Sequence, residues 1–464
     1  MNLRVLRIEL RRSVAPWAGG IVLVAALAFL HLVPGPWGKG GALWTGQWTS
    51  MALWTRHLLI FLWPLAVGLG ALQGLRDRRS KMAELLISTP RPERHRAAAL
   101  AGTTALTLCS AFGLLVLLGA VRVLAGDASY THLGWLPISL VGALALGSGA
   151  VLGMGVARAL PSVLTPPALA VAALALTNFL RQTQTSQDAV PVSFAVSNRL
   201  SLLSPTVSEV RETLLTLSVP VHLGQTLWLL GMAATGLALL AAAGPRARLL
   251  ALAPLLAGGA LALLLLPADP RDTYVLDRAA AARVCEGPVC VTALRRERLD
   301  ELAGPGKEAL RVLRDALGDR APVAVRETTA LRALSATPER SRDSVLVDFD
   351  DRVIGDAGGE RLTRALVAQG MVPVCHPRSD TESGTQEDAA AQSIAAAWAL
   401  GEAPRPLEGT MHSARHQADM AGPVWKRFNA LPASEQRKRI GAAHAAALSC
   451  SADALTVLNG GALR

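Results

Sequence analysis

The residue types best suited to chemistry gather in the last third of the chain. Val345-Leu346-Val347-Asp348-Phe349-Asp350 is an apolar run ending in Asp-x-Asp. Two carboxylates so spaced can share a magnesium ion while the first attacks phosphorus. The downstream lysine and acidic pair that such a phosphatase needs are not recognisable. The plainer reading is a strand running into an acidic turn. His412-Ser-Ala-Arg-His416 has the i, i+4 spacing that sets two imidazoles on one helix face. A zinc hydrolase of that pattern needs Glu as general base where this chain has Ser413, so a solvated helix face is expected. No G-x-x-x-x-G-K-[ST] phosphate loop occurs, and Gly304-Pro305-Gly306-Lys307 lacks its spacing and hydroxyl, reading instead as a helix break. The chain is therefore not expected to hydrolyse nucleotide itself, nor to act as an enzyme or hold a metal.

Five cysteines complete the inventory. Cys109 sits inside an apolar run and reads as a small packing residue. Cys285, Cys290, Cys375 and Cys450 fall in the tail, where an even number suggests two disulfides among three possible pairings. Cys285–Cys290 with Cys375–Cys450 is favoured, because the first pair closes a short Glu-Gly-Pro-Val loop. A zinc site is the rival, without a second Cys-x-x-Cys or close His partners to support it.

The elements that must position these groups divide sharply. Residues 1–266 hold 20 basic and 8 acidic side chains, whereas 267–464 hold 26 and 27, so the net +11 belongs to the first part. The basic residues stand between long apolar runs rather than along one soluble face, which argues against nucleic acid as partner. Crossing a hydrocarbon core of about 30 Å takes roughly 20 helical residues. Seven runs suffice, near 14–34, 57–75, 97–124, 134–157, 162–180, 226–243 and 247–266. Continuous runs exclude a porin-type barrel. With the N-terminus inside, 14 basic residues fall in cytoplasmic segments and six outside, so the first run reads as an uncleaved signal anchor and 267–464 as extracytoplasmic.

Finer signals follow. Trp37, Trp44, Trp48 and Trp54 suit the outer membrane interface. Pro64 is expected to bend the second span. Gly149 and Gly153, four apart, let backbones approach, within one chain or between two. Segment 181–225 suits amphipathic or re-entrant helices. The tail reads as a mixed α/β domain with helices at 294–317 (broken at Gly304), 359–370, 385–400 and 433–449, strands at 322–327, 344–349 and 371–375, and a polar linker from His376 to Gln386.

The segment after the second span is the most informative. It reads Arg76-Asp77-Arg78-Arg79-Ser80-Lys81-Met82-Ala83-Glu84-Leu85-Leu86-Ile87-Ser88-Thr89-Pro90 and continues to Arg94. A short helix over 78–87 stops before Pro90. Met82, Leu85 and Leu86 give it a small apolar face ringed by charge, suited to a partner's groove. Held otherwise, it is a basic helix on membrane lipid headgroups.

At this segment the sequence resembles type-2 ABC transporter permeases. In that family a charged turn, an acidic residue, Leu-Leu, a small polar pair, Pro and Arg follow the second span. Here these are Arg78, Arg79, Glu84, Leu85, Leu86, Ser88, Thr89, Pro90 and Arg94. The resemblance covers residues 1–245: a basic amphipathic stretch at 2–12, six spans, and outer re-entrant helices before the sixth. Segment 246–266 adds a seventh span, and 267–464 adds a tail similar to those fused to such permeases in high-GC actinobacteria. The resemblance implies a polytopic α-helical subunit of an exporter in the plasma membrane, as a homodimer or heterodimer. Its 78–87 helix, with Pro90 after it, would contact a separate cytoplasmic ATPase subunit, and ATP and magnesium would belong to that partner. The alternative is a membrane-anchored receptor or immunity-type binding protein that moves no solute. A third reading, an outward-facing hydrolase, would make Asp348 or His412 essential. No ionisable residue lies deep in a span, apart from edge cases such as His31 and Arg56, which disfavours a proton- or sodium-coupled carrier.

Overall fold

Apolar runs this long fold as helices because hydrocarbon offers no partner to a backbone N–H or C=O, so each must be satisfied within its own segment. A computed structural model describes residues 15–33, 37, 43–76, 93–126, 130–182, 198–207, 213–269, 272–329, 338–376, 384–410 and 413–461. Two compact units separate, the chain up to Val275 and the chain from Leu276.

The first unit contains α1 (Ala15–Leu32), α2 (Trp48–His57), α3 (Leu59–Gly74), α4 (Glu93–Leu124), α5 (Trp135–Ala159), α6 (Thr165–Gln182), α7 (Val219–Ala241), α8 (Pro245–Leu250) and α9 (Ala253–Leu265). Five stretches are long and apolar enough to cross a membrane: α1, Ala97–Leu124, α5, α7 and Pro245–Leu265. α2 and α3 qualify together as a sixth, bent by 50°. The sequence led us to expect seven. The difference is α6, which is helical where the fifth span was placed but ends in Asn178, Arg181 and Gln182 and is not among them.

The second span starts earlier than expected, at Trp48, and breaks at Leu58. Pro64 lies inside α3, where its ring and missing N–H release the carbonyl of Ile60. The break thus stands on the N-terminal side of the proline, where its steric effect acts. Trp37, Trp44, Trp48 and Trp54 are all buried against the rest of the chain. They pack on neighbouring rings: Trp37 lies 4.8 Å from Phe29 and 6.0 Å from Trp54, and Trp48 stacks on Trp135 at 5.4 Å. Rings this large contribute heavily to packing where they are buried.

Glycines sew α3, α5 and α7 together. A Cβ on Gly70 would lie 2.1 Å from the Ala150 carbonyl oxygen, on Gly153 2.2 Å from that of Val67, and on Gly236 2.3 Å from that of Val151. Backbone therefore meets backbone, as small residues permit. Gly149 abuts the indole of Trp63, so the Gly149/Gly153 pair serves packing within the chain. Where amphipathic helices were expected in 181–225, the described residues form a 3-10 turn at Ser201–Leu203 and a strand, β1 (Leu215–Leu217). β1 pairs with β2 (Tyr274–Leu276), which carries the first unit past the expected boundary at 266.

The second unit holds β3 (Arg283–Glu286), β4 (Val289–Thr292), α10 (Arg298–Leu317), β5 (Ala324–Glu327), β6 (Ser344–Val347), α11 (Arg352–Gly355), α12 (Gly359–Met371), α13 (Gln386–Leu400), α14 (Ala414–Asn429), α15 (Ala433–Ser449) and α16 (Ala454–Leu458). The sheet order is β3-β4-β5-β6. β3 and β4 form an antiparallel hairpin with Cys285 opposite Cys290, turned at Gly287 with φ +62°. β4, β5 and β6 run parallel. Val289, Val291, Val325, Val345 and Val347 from the sheet join Leu302, Leu310, Leu313, Leu362, Leu366 and Phe428 from the helices in one core.

Three expectations change here. α10 runs through Gly304-Pro305-Gly306 without a break. Gly306 brings the helix onto the sheet, since a Cβ there would lie 2.9 Å from a Val289 methyl, and that packing outweighs one lost hydrogen bond at Pro305. Residues 372–375 form no strand. Side chains meet the carbonyls where the strand was expected to begin: Gln392 Nε2 donates to Val372 O at 2.9 Å, and His444 Nδ1 lies 2.9 Å from the O of Met371, the last residue of α12. The β3–β4 hairpin and α14 had no counterpart in the sequence reading. The disulfides are Cys285–Cys290 and Cys375–Cys450, the favoured pairing. Cys109 is free and half-buried, its thiol donating to Ala143 O at 3.2 Å.

Candidate functional site

Arg56 is the largest fully buried side chain, and it lies at the break between α2 and α3. An ionisable group wholly buried among helices apolar enough to span a membrane is costly and marks a functional position by default. Its Nε donates to Pro205 O at 3.3 Å and its Nη2 to Gln225 Oε1 on α7. Gln225 Nε2 in turn donates to Leu202 O at 2.9 Å and Ser204 O at 3.2 Å. The adjacent His57 Nδ1 lies 3.0 Å from Val207 O. One cation thus ties the bend, the 202–207 loop and the start of α7 together through neutral oxygens. Nη1 is buried with no hydrogen-bond partner, and no carboxylate among the described residues pairs with Arg56. The sequence placed Arg56 at a span edge and missed this role. The signal was present: an arginine at the edge of an apolar run, with a glutamine at the start of a later span.

From the bend, α3 runs to Gly74, with Leu75 as its C-cap. The resemblance-derived residues Arg78, Arg79, Met82, Glu84, Leu85, Leu86 and Pro90 lie outside the described residues, between Arg76 and the start of α4 at Glu93.

In the second unit the C-terminal ends of the parallel strands gather a charged cluster, the position where open α/β sheets place ligands. Arg295 follows β4, Glu327 ends β5, and Asp348 and Asp350 follow β6. Arg295 pairs with Asp350 and stands 3.5 Å from Glu327 Oε1. Its guanidinium also lies 5.3 Å from the Phe349 ring, with Arg298 at 5.1 Å. Burial alone would lower the Arg295 pKa, but Asp350, Glu327 and Asp348 outweigh it and push it up. Burial raises the Glu327 carboxyl above its ordinary range, against the pull of Arg295 and of the Thr292 N–H, which donates to Glu327 Oε2 at 2.6 Å.

This arrangement does not suit the phosphatase reading. A guanidinium occupies the cation's place at Asp350, Asp348 Oδ1 accepts from the Asp350 N–H at 3.0 Å, and Asp351 caps α11 by accepting from Val353 N. The chemistry is that of a neutralised turn holding three strand ends. Ser413 is the N-cap of α14, and its hydroxyl accepts from His416 N at 3.2 Å. His416 is exposed, and His412 lies outside the described residues. No group of three or more His, Cys, Asp or Glu suited to a metal occurs among the described residues.

No family model, curated protein or solved structure matches this chain.

Proposed function

We propose that the chain is the membrane subunit of an ABC-type exporter in the plasma membrane. It would work as a homodimer or heterodimer with a cytoplasmic ATPase that binds ATP and magnesium. The observation that carries this reading is the course of α3. Its 16 residues, about 24 Å of helix, run unbroken from the Arg56 bend to the threshold of the charged Leu85-Leu86 segment. A displacement at residue 76 would therefore reach the Arg56 clamp along one rigid rod. ATP-driven closure of the ATPase pair would press on 78–90, and the clamp between bend, loop and α7 would be the element with two arrangements. A ligand or nucleotide shifts such an element only by contacting its two states differently.

The test is an affinity pull-down of the tagged chain from native membranes in mild detergent, with mass spectrometry and an ATPase assay. A nucleotide-binding subunit should accompany the wild type and be lost with Leu85→Glu/Leu86→Glu. Were no ATPase to accompany even the wild type, transport would be abandoned. The second unit, which has its own core, would then be the working part of a membrane-anchored binding protein.

A further inference from the structure

The two disulfides of the second unit sit in opposite electrostatic settings. Cys375 and Cys450 are both half-buried, and the Ala447 carbonyl oxygen lies 3.0 Å from the first sulfur and 3.6 Å from the second. A disulfide sulfur has no hydrogen to offer that oxygen, and a thiolate released there would face its negative end. The next residue, His376, brings no free cation, because its Nδ1 lies 2.7 Å from Asp388 Oδ2.

Cys285 and Cys290 stand directly opposite each other across the β3–β4 hairpin. The sheet packs its Val289, Val291, Val325, Val345 and Val347 face into the core with α10 and α12. Side chains alternate across a sheet, so Cys285 and Cys290 project from the other face. Arg283 shares that face, two residues before Cys285 on β3, and Arg326 stands in register with Cys290 on β5. Neither arginine forms a hydrogen bond or ion pair among the described residues. The adjacent acid, Glu286, projects the opposite way and pairs with Lys307 of α10. In thiol–disulfide exchange the attacking, attacked and leaving sulfurs lie in one line, and access and leaving-group stability set the rate. Behind Cys285 that line leaves the sheet, since β3 is an edge strand and Cys285 is exposed. Behind Cys290 it meets β5 and Arg326, one strand spacing of about 4.8 Å away. Attack is thus directed to Cys285, where Arg283 draws an incoming thiolate. The sulfur that leaves is Cys290, whose thiolate the Arg326 guanidinium stabilises.

We propose that Cys285–Cys290 is a thiol–disulfide exchange site, opened reversibly by an external dithiol. One thiolate of the dithiol bonds to Cys285 Sγ, the Cys285–Cys290 bond breaks, and Cys290 Sγ takes the electron pair beside Arg326. The second sulfur of the dithiol then displaces Cys285. The dithiol ends as a disulfide, and its two protons pass to the two cysteines. The flanking pairs, Val284 opposite Val291 and Glu286 opposite Val289, keep the sulfurs facing each other, so an oxidised partner closes the bond again. The inference stands on the second unit alone and does not depend on the transport reading.

The test uses the full chain in detergent at about pH 7, with Cys109 first blocked by N-ethylmaleimide. Dithiothreitol is added for timed intervals, the thiols formed are alkylated, and mass spectrometry reads each cysteine pair. Cys285–Cys290 should open about tenfold or more faster than Cys375–Cys450. A brief glutathione pulse quenched in acid should leave the tripeptide on Cys285 and not on Cys290. Arg326→Gln should slow the opening by about threefold or more, and Arg326→Lys should keep it fast. Arg415→Gln, on exposed α14, should change nothing. Reduced thioredoxin at the same thiolate concentration tells a protein dithiol from a small one by which opens the bond faster. Hydrogen exchange at 324–327 and 344–347 should be alike in reduced and oxidised protein, and oxidised glutathione should restore the bond. Equal opening rates for the two disulfides, glutathione on Cys290, or a rate untouched by Arg326→Gln would overturn the proposal. So would lost protection at 324–327 on reduction, because the bond would then be a structural brace.

Discussion

Replacing Arg295 by Met removes the cation that pairs with Asp350 and Glu327 at the strand ends of the second unit. The side chains concerned are nearly sealed, with Arg295 11% exposed, Glu327 3% and Asp350 8%. Methionine fills much of the stem's volume but leaves two carboxylates buried beside each other. Breaking a buried ion pair in this way costs about 3–5 kcal/mol, most of it the desolvation of the charge left behind. At 1.4 kcal/mol per decade, opening of β4–β6 becomes roughly a hundredfold to several-thousandfold more frequent. Hydrogen exchange with mass spectrometry on peptides from 289–292, 324–327 and 344–347, in the full chain, measures that opening. The pH dependence has a definite sign. Arg295 pulls the Glu327 carboxyl down against burial, so its loss raises the folded pKa further above the unfolded value. Folded protein then keeps a proton that unfolded protein releases, and stability rises as pH falls through the raised pKa. The deficit should therefore be largest at pH 7 and shrink toward pH 5. The triple variant Arg295→Met/Glu327→Gln/Asp350→Asn, with no charge to strand, should recover most of the loss. A single variant within about 1 kcal/mol of wild type, or a triple variant no better than the single, would refute the argument from stranded charge.

Two further outcomes follow from the same structure. The Cys375–Cys450 bond spans 75 residues and Cys285–Cys290 only 5, so loop entropy assigns them about 4.5 and about 2 kcal/mol. Exchange in α12, α13 and α15 should therefore accelerate much more in Cys375→Ala/Cys450→Ala than in Cys285→Ala/Cys290→Ala, and equal effects would contradict the chain-entropy account. In the first unit, Gly153→Ala forces a methyl against the Val67 carbonyl and should cost about 1–3 kcal/mol by thermal unfolding in detergent, while Gly113→Ala, with open space around it, should cost nothing.

Local chemistry was legible in the sequence wherever one residue type permits few environments. The disulfide pairing followed from two cysteines that close a short Glu-Gly-Pro-Val loop, leaving the other two to pair. Helices at Gly359–Met371, Gln386–Leu400 and Ala433–Ser449 followed from periodicity and caps, Thr385 and Asp388 forming the capping box of α13. Tertiary compensation was not legible. Gly304-Pro305-Gly306 carries every local mark of a break, yet Val289 on another element rewards close approach there. Val372 and Val374 look like a strand, but Gln392 and His444, distant in sequence, supply the partners a neighbouring strand would have given. Arg56 reads as an edge residue until Gln225, 169 positions later, is seen to accept from it.

The glycine contacts among α3, α5 and α7 also have a mechanical meaning. Elsewhere in a bundle, side chains between helices act as springs, absorbing a shift by changing rotamer before the neighbouring backbone moves. Where carbonyls meet Cα atoms with nothing between, that compliance is gone, and the three helices can only translate together or separate. Strain applied at one end of α3 is then not dissipated along its length. It is delivered to the bend at Leu58, the one place in this rod where the backbone is already broken.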